Sequence, residues 1–106
     1  MNKMILPRDV EFHEDVRLLV YRPRGLVNKA AVNKIISVVG ELETMLKEPF
    51  NRFSDTAGVE QVDLNYEYVI SVAFYRRFAY EHRKPIKSAI LATHPKFIHY
   101  ARYTRC

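Results

Sequence analysis

Phe50-Asn51-Arg52-Phe53-Ser54-Asp55-Thr56-Ala57-Gly58-Val59-Glu60-Gln61-Val62-Asp63-Leu64-Asn65-Tyr66 is the stretch on which the reading of the fold turns. Phe50 to Thr56 mixes aromatic and short polar residues and reads as a short strand. A loop carrying the aspartates Asp55 and Asp63 follows. From about Asp63 to Arg83 the longest apolar helical pattern of the chain takes over. In an open α/β sheet, function gathers where strands hand over to helices, so this loop is also where a working surface is sought.

Upstream, residues 1–9 lack periodicity and contain Pro7, which reads as a tail. Val16, Leu18 and Val20 alternate with Arg17, Leu19 and Tyr21, the period of a strand. His13-Glu14-Asp15 interrupts after Val10-Glu11-Phe12, so Val10 to Arg22 is expected to be a hairpin. Arg22-Pro23-Arg24-Gly25 ends it, because proline cannot donate to a ladder and glycine accommodates a turn. Asn28 is a helix N-cap by type. Val32, Ile35, Ile36, Val39, Leu42 and Leu46 then recur at spacings of three and four, one apolar stripe. Gly40 interrupts that helix at a cost of about 1 kcal/mol relative to alanine, which a close helix–sheet contact would explain. Pro49 stops the helix.

Downstream, Tyr66, Val69, Ile70, Ala73, Phe74 and Phe78 form one stripe, and Tyr68, Val72, Tyr75 and Ala79 a second. A helix apolar on two flanks is either deeply buried or shared with a partner. Asp63 would cap it, its carboxylate suiting the positive end of the helix dipole. Pro85 breaks the helix. Ile86 to Thr93 is apolar on both faces, as a central strand covered on both sides would be. His94-Pro95 opens a last helix, with proline at its first position. The order β-β-α-β-α-β-α predicts an α/β domain over residues 10–106. Its sheet would be a single, mostly parallel layer of about four strands with three helices and right-handed crossovers.

A chain of 106 residues is of single-domain size. No apolar run reaches the roughly 20 residues of a membrane span, and residues 1–8 lack the apolar core of a secretory signal. One cysteine, Cys106, leaves no internal disulfide and fits a reducing cytoplasm. Charge is uneven. Residues 1–66 carry nine basic and ten acidic side chains, a net of −1, while residues 67–106 carry eight basic and two acidic, a net of +6. Such a half attracts anionic partners, although a solvated face that maintains solubility is the plainer reading.

In its element order, its lengths and its central loop, the chain resembles the STAS fold. That family comprises sporulation-type anti-sigma-factor antagonists and the cytoplasmic domains of sulfate transporters. Asp55-Thr56-Ala57-Gly58-Val59 stands where the family carries Asp-Leu-Ser-Gly-Leu, and Val62-Asp63-Leu64-Asn65-Tyr66 where it carries the helix-opening Asp-Ser-Ser/Thr-Gly. His94-Pro95 falls at a common Ser-Pro. The likeness covers about residues 10–105, without the further strand and helix of many members. In the family the serine after the helix-opening aspartate is a phosphorylation switch. Leu64 holds that position, so the resemblance implies an interaction module without the switch, of the stand-alone bacterial kind. A lipid-carrier-like branch supplies the alternative, a small-ligand or lipid-binding domain.

Ser54, Asp55, Thr56, Gly58, Asp63, Asn65 and His94 are the candidate partner- or ligand-binding residues. A carboxylate pair from Asp55 and Asp63 would suit a polar partner or a metal, but a turn-former and a helix cap are the commoner roles of such residues. With His94 on the same rim, acid–base chemistry is conceivable. Yet no serine or cysteine lies in an activating motif, and three glycines do not build a phosphate loop. The histidines lack metal-ligand spacing. A non-enzymatic domain without metal or cofactor is therefore expected, meeting a protein partner, with a homodimer as one form of that partnership. Aromatic and basic residues interleave in Tyr75 to Lys84 as in nucleic-acid binders. On a helix, however, neighbours in sequence do not share a face, so no specific nucleic acid is expected.

Overall fold

A computed structural model describes residues 5–80 and 86–101, which fold as a mixed α/β arrangement. Its elements are β1 (Val10–His13), β2 (Leu18–Tyr21), β3 (Gly25–Asn28), α1 (Lys29–Leu46), β4 (Asn51–Asp55), β5 (Val59–Asp63), α2 (Tyr66–Tyr80), β6 (Ser88–Leu91) and α3 (Pro95–Ala101). The break expected at Pro85 and the residues after Ala101 lie outside the described residues.

The hairpin reading survives with a shifted turn. β1 and β2 pair antiparallel, with Phe12 opposite Leu19. The turn takes Glu14 to Arg17, so Val16 is a 60% exposed turn residue rather than a strand residue. Arg17 adopts φ 52°, and its amide donates to the Glu14 carbonyl at 3.3 Å. Its carbonyl accepts from the Asn51 amide at 3.0 Å, which seats the turn at the start of β4. From there β2 and β4 run parallel, as do β4 and β6, so the four-stranded sheet has the order β1-β2-β4-β6.

Helix α1 follows its apolar stripe. The Asn28 side chain accepts from the Ala31 amide at 3.0 Å, and Lys47 closes the far end in the left-handed conformation. Val38, Val39 and Leu42 meet Val10, Leu19 and Phe50 in the main core, with Leu6, Phe12, Ile35 and Leu46 around them. Phe12 and Phe50 lie edge to face, 5.2 Å between centroids. Gly40 does not fit its expected role. It is exposed, and an added Cβ there would meet nothing within 4 Å. Arg52 of β4 is buried beside Glu43 of α1, N to O 3.4 Å, with its guanidinium 5.6 Å from the Phe50 ring centroid.

The single-layer expectation fails at two places. Gly25 to Asn28 resumes as β3 after the proline turn, and the supposed loop 57–62 contains β5. These two strands pair parallel in a second sheet. The two ladders are separate because Pro23 has no amide to give and Gly25 takes φ 69° to redirect the chain. Pairing restarts at Gly25 N–H to the Gly58 carbonyl, 3.0 Å. Register then jumps: Gly25 faces Val59, but Leu26 faces Gln61, leaving Glu60 as the extra residue of a bulge. The bulge lets Val59 and Val62, three apart, both bury against Val27 and Val32.

The remaining corrections concern the second half. Helix α2 starts at Tyr66, not Asp63, because Asp63 still belongs to β5. Asn65 is the cap, its side chain accepting from the Tyr68 amide at 2.8 Å. The strand expected over 86–93 as a central element is a four-residue edge strand, β6, with all four residues exposed. Each crossover steps outward in the same direction, so the last strand to join has β4 as its one neighbour among the described residues.

Candidate functional site

Asp55 ends β4 and Thr56 follows it, on the rim where β2, β4 and β6 all terminate. The Asp55 carboxylate accepts from the Ala57 amide at 3.1 Å, the turn-forming bond an aspartate provides at such a position. Its other oxygen lies 3.7 Å from Nε of Arg22, whose NH1 is 3.1 Å from Glu11. Hydrogen bonding and charge from Arg22, with His13 adding to both, hold the Glu11 carboxyl below the usual glutamate range. Thr56 is buried. Its amide and its hydroxyl both donate to the Leu91 carbonyl, at 3.0 and 2.7 Å, and so fasten β4 to the end of β6. Gly58 sits where a Cβ would come 3.2 Å from Cγ of Arg24, so its smallness serves the close approach of the two strand turns.

The other candidates lie beyond β5. Asp63 is exposed at the end of that strand, opposite Asn28. Four strand residues, Val59 to Val62, about 13 Å of extended chain, intervene between the Asp55 turn and Asp63. The two carboxylates therefore belong to opposite ends of β5 and are not neighbours along it. Asn65 caps α2. Ser54 lies within β4, partly buried and opposite Tyr21 and Ile90. His94 precedes α3; its Nδ1 accepts from the Lys96 amide at 3.1 Å and its carbonyl accepts from the Ile98 amide at 3.2 Å. The Lys96 ammonium donates to the Val62 carbonyl at 3.1 Å, tying α3 to β5.

The structure thus brings Asp55, Thr56 and Gly58 together at the β4–β5 turn, and Asp63 and Asn65 at the β5–α2 junction. Asp55, Thr56, Gly58 and Asn65 make bonds or close contacts that shape the fold. Asp63 is displayed. Around it, Gln61, Asn65, Tyr66 and Glu67 are also exposed, Tyr66 at 50%.

A second feature lies outside the residues singled out from the sequence. Arg8, Asp9, Glu11, Arg22 and Arg24 line an open groove of about 560 Å³ beside the β2–β3 turn. The Arg-Pro-Arg of residues 22–24 was the available signal, hidden because it reads equally well as a strand terminator. Tyr21, next to this groove in sequence, has its hydroxyl pushed up to about 12 by burial, with the charge of Asp9 adding to it.

The described side chains of helix α2, those of residues 66–74, are only partly covered. Of its residues 66–74, Val69 alone is buried, and Phe74 is 67% exposed. Its first turns touch α1 through polar contacts: the Tyr68 hydroxyl lies 2.7 Å from the Asn33 side chain and the Lys29 ammonium 5.4 Å from the Tyr68 ring centroid. Among the described residues no group of three His, Cys, Asp or Glu side chains could hold a metal ion, and no helix is long and apolar enough to cross a membrane. Comparison of the chain with family models, curated proteins and solved structures gives no match.

Proposed function

We propose that this protein is a non-enzymatic, STAS-like interaction domain that binds a protein partner through the β5–α2 junction and the adjoining flank of α2. The observation that carries this reading is the exposure of Tyr66 and Phe74 in the described part of α2, residues 66–74. Its sequence is apolar on two flanks, yet within residues 66–74 only Val69 is buried. Large hydrophobic residues left open to water are candidate contacts for a partner, and a second protein surface would bury what α1 and the sheet leave open at Tyr66 and Phe74. Asp63, Asn65, Tyr66 and Glu67 at the head of the helix supply a polar rim, and Tyr66 an aromatic anchor of the kind enriched at interfaces. Leu64 in place of a phosphorylatable residue means that such binding would not be switched at this position.

The test is a pull-down with the wild-type chain and Asp63→Arg, followed by titration of the recovered partner against both. Charge reversal at the rim of the junction is expected to weaken binding while leaving the fold intact, since Asp63 is exposed. Unchanged affinity in Asp63→Arg would move the working surface elsewhere. A tightly held lipid in the purified protein, detected by mass spectrometry, would favour the carrier function over the interaction module.

A further inference from the structure

The groove beside the β2–β3 turn, lined by Arg8, Asp9, Glu11, Arg22 and Arg24, encloses about 560 Å³. That lies within the roughly 300–1,000 Å³ of small-molecule sites. Backbone bonds hold its walls. The Val10 amide donates to the Pro7 carbonyl at 3.1 Å, and the Gly25 amide to the Gly58 carbonyl at 3.0 Å. The Arg22 amide donates to the Asp9 carbonyl at 2.8 Å, which locks the segment before β1 to the β2–β3 turn. Pro23, between two of the lining arginines, is buried.

The five charged side chains differ in what they have to spare. Arg22 is committed: its Nη1 lies 3.1 Å from Glu11 and its Nε 3.7 Å from Asp55, so Glu11 is compensated too. Arg8 and Arg24 are exposed, and among the described residues neither guanidinium has an ion pair or hydrogen bond. The Arg24 stem is nevertheless placed, because its Cγ packs against Gly58, 3.2 Å from where a Cβ would stand. Asp9 is partly buried, and among the described residues its carboxylate has no partner either. Two spare cations and one spare carboxylate therefore line the same groove. An arginine fork matches the oxygens of a carboxylate or phosphate. A lone carboxylate accepts from hydroxyls and repels a bare anion.

We propose that this groove binds a small phosphorylated polyhydroxy compound, of the size and chemistry of a sugar phosphate. Its phosphate takes Arg8 and Arg24, and a hydroxyl of the same molecule donates to Asp9. Phosphate fits better than carboxylate because one arginine fork already fills a carboxylate, whereas a phosphate has oxygens for two and a charge of about −1.5 to −2 to set against them. Inorganic phosphate would face Asp9 with no hydroxyl of its ligand between them, and a neutral sugar would leave both guanidiniums unused. Arg22 takes no part in holding the ligand. Braced by Glu11 and Asp55, it fixes the turn that carries Arg24. The site is separate from the β5–α2 junction and does not depend on it.

The probe is ribose 5-phosphate, titrated calorimetrically into the 106-residue chain, with inorganic phosphate and ribose for comparison. Ribose 5-phosphate is expected to saturate one site, phosphate to bind more weakly, and ribose not to bind. Arg8→Gln and Arg24→Gln should each weaken the sugar phosphate about tenfold or more, the loss of a charge-assisted hydrogen bond. Arg24→Lys, which keeps the charge without the fork, should recover part of that loss, as damage to the turn would not. Lys34→Gln removes an exposed cation of α1 outside the groove and should change nothing. Asp9→Asn should bring the affinities for ribose 5-phosphate and phosphate closer together. The proposal is overturned by any of four results: no saturable binding of ribose 5-phosphate, equal affinity for phosphate in the wild type, undiminished binding in both glutamine variants of the arginines, or an equal loss in Lys34→Gln. A single-stranded oligonucleotide that needs the two arginines while ribose 5-phosphate fails to bind would give the groove to nucleic acid instead.

Discussion

At the scale of single residues, the most consequential is Arg52. Its guanidinium is buried against Glu43 and the Phe50 ring, so charge sits inside the layer between α1 and the sheet. Removing one member of a buried ion pair strands the other, a loss of about 3–5 kcal/mol, whereas exchanging both for apolar groups of similar volume is often neutral. Arg52→Ala is accordingly expected to lower the denaturant midpoint sharply, and Arg52→Met with Glu43→Leu to recover most of it. Tyr21 gives a pH signature. Its folded-state value of about 12 lies above the ordinary 10.0, so the folded state holds its proton longer. The associated stability is present below pH 10 and is lost as pH rises toward 12, since the unfolded chain releases that proton first. Urea titrations across this window should show an alkaline decline that is smaller in Tyr21→Phe.

At the scale of elements, the sequence was legible where one physical signal acted alone. Helix α1 is capped by Asn28 where the pattern puts it and buries Val39 and Leu42 of its expected apolar stripe, though Val38 and Glu43, outside that stripe, are buried as well. The β1–β2 hairpin was legible too, apart from a turn lengthened by the left-handed Arg17. β5 was not. The bulge at Glu60 puts its buried valines three apart, which erases the alternation by which strands are recognised. The difference carries over to α2, whose start the sequence puts at Asp63 because an aspartate before an apolar run is a common cap. Capping by Asn65 predicts its own test. Asn65→Ala should cost about 1 kcal/mol of stability, while Asp63→Ala, at an exposed strand end, should change the thermal midpoint little. The candidate residues divide in the same way. Thr56, Gly58 and Asn65 drew attention as loop residues with functional chemistry, but each has a structural contact that no residue pattern displays.

At the scale of the whole molecule, packing is lopsided. The main core joins β1, β2, Phe50 and α1, and a smaller cluster gathers around β3 and β5. Among the described residues, those of the following elements are less covered: β6 is exposed throughout, and Phe74 of α2 and Ile98 of α3 are 67% and 48% exposed. This imbalance also explains why β6 was mistaken for a central strand. Two apolar faces signal cover on both sides, and a sequence carries no mark that distinguishes cover by the same chain from cover by another.

Weak cover of residues 66–74 of α2 by the rest of the protein is the central claim, and amide hydrogen exchange of the isolated 106-residue chain measures it directly. Amides of residues 70–74 are expected to exchange well before those of residues 36–42 in α1, and to slow when the partner recovered by pull-down is added. Equal protection of the two helices in the free protein would contradict it.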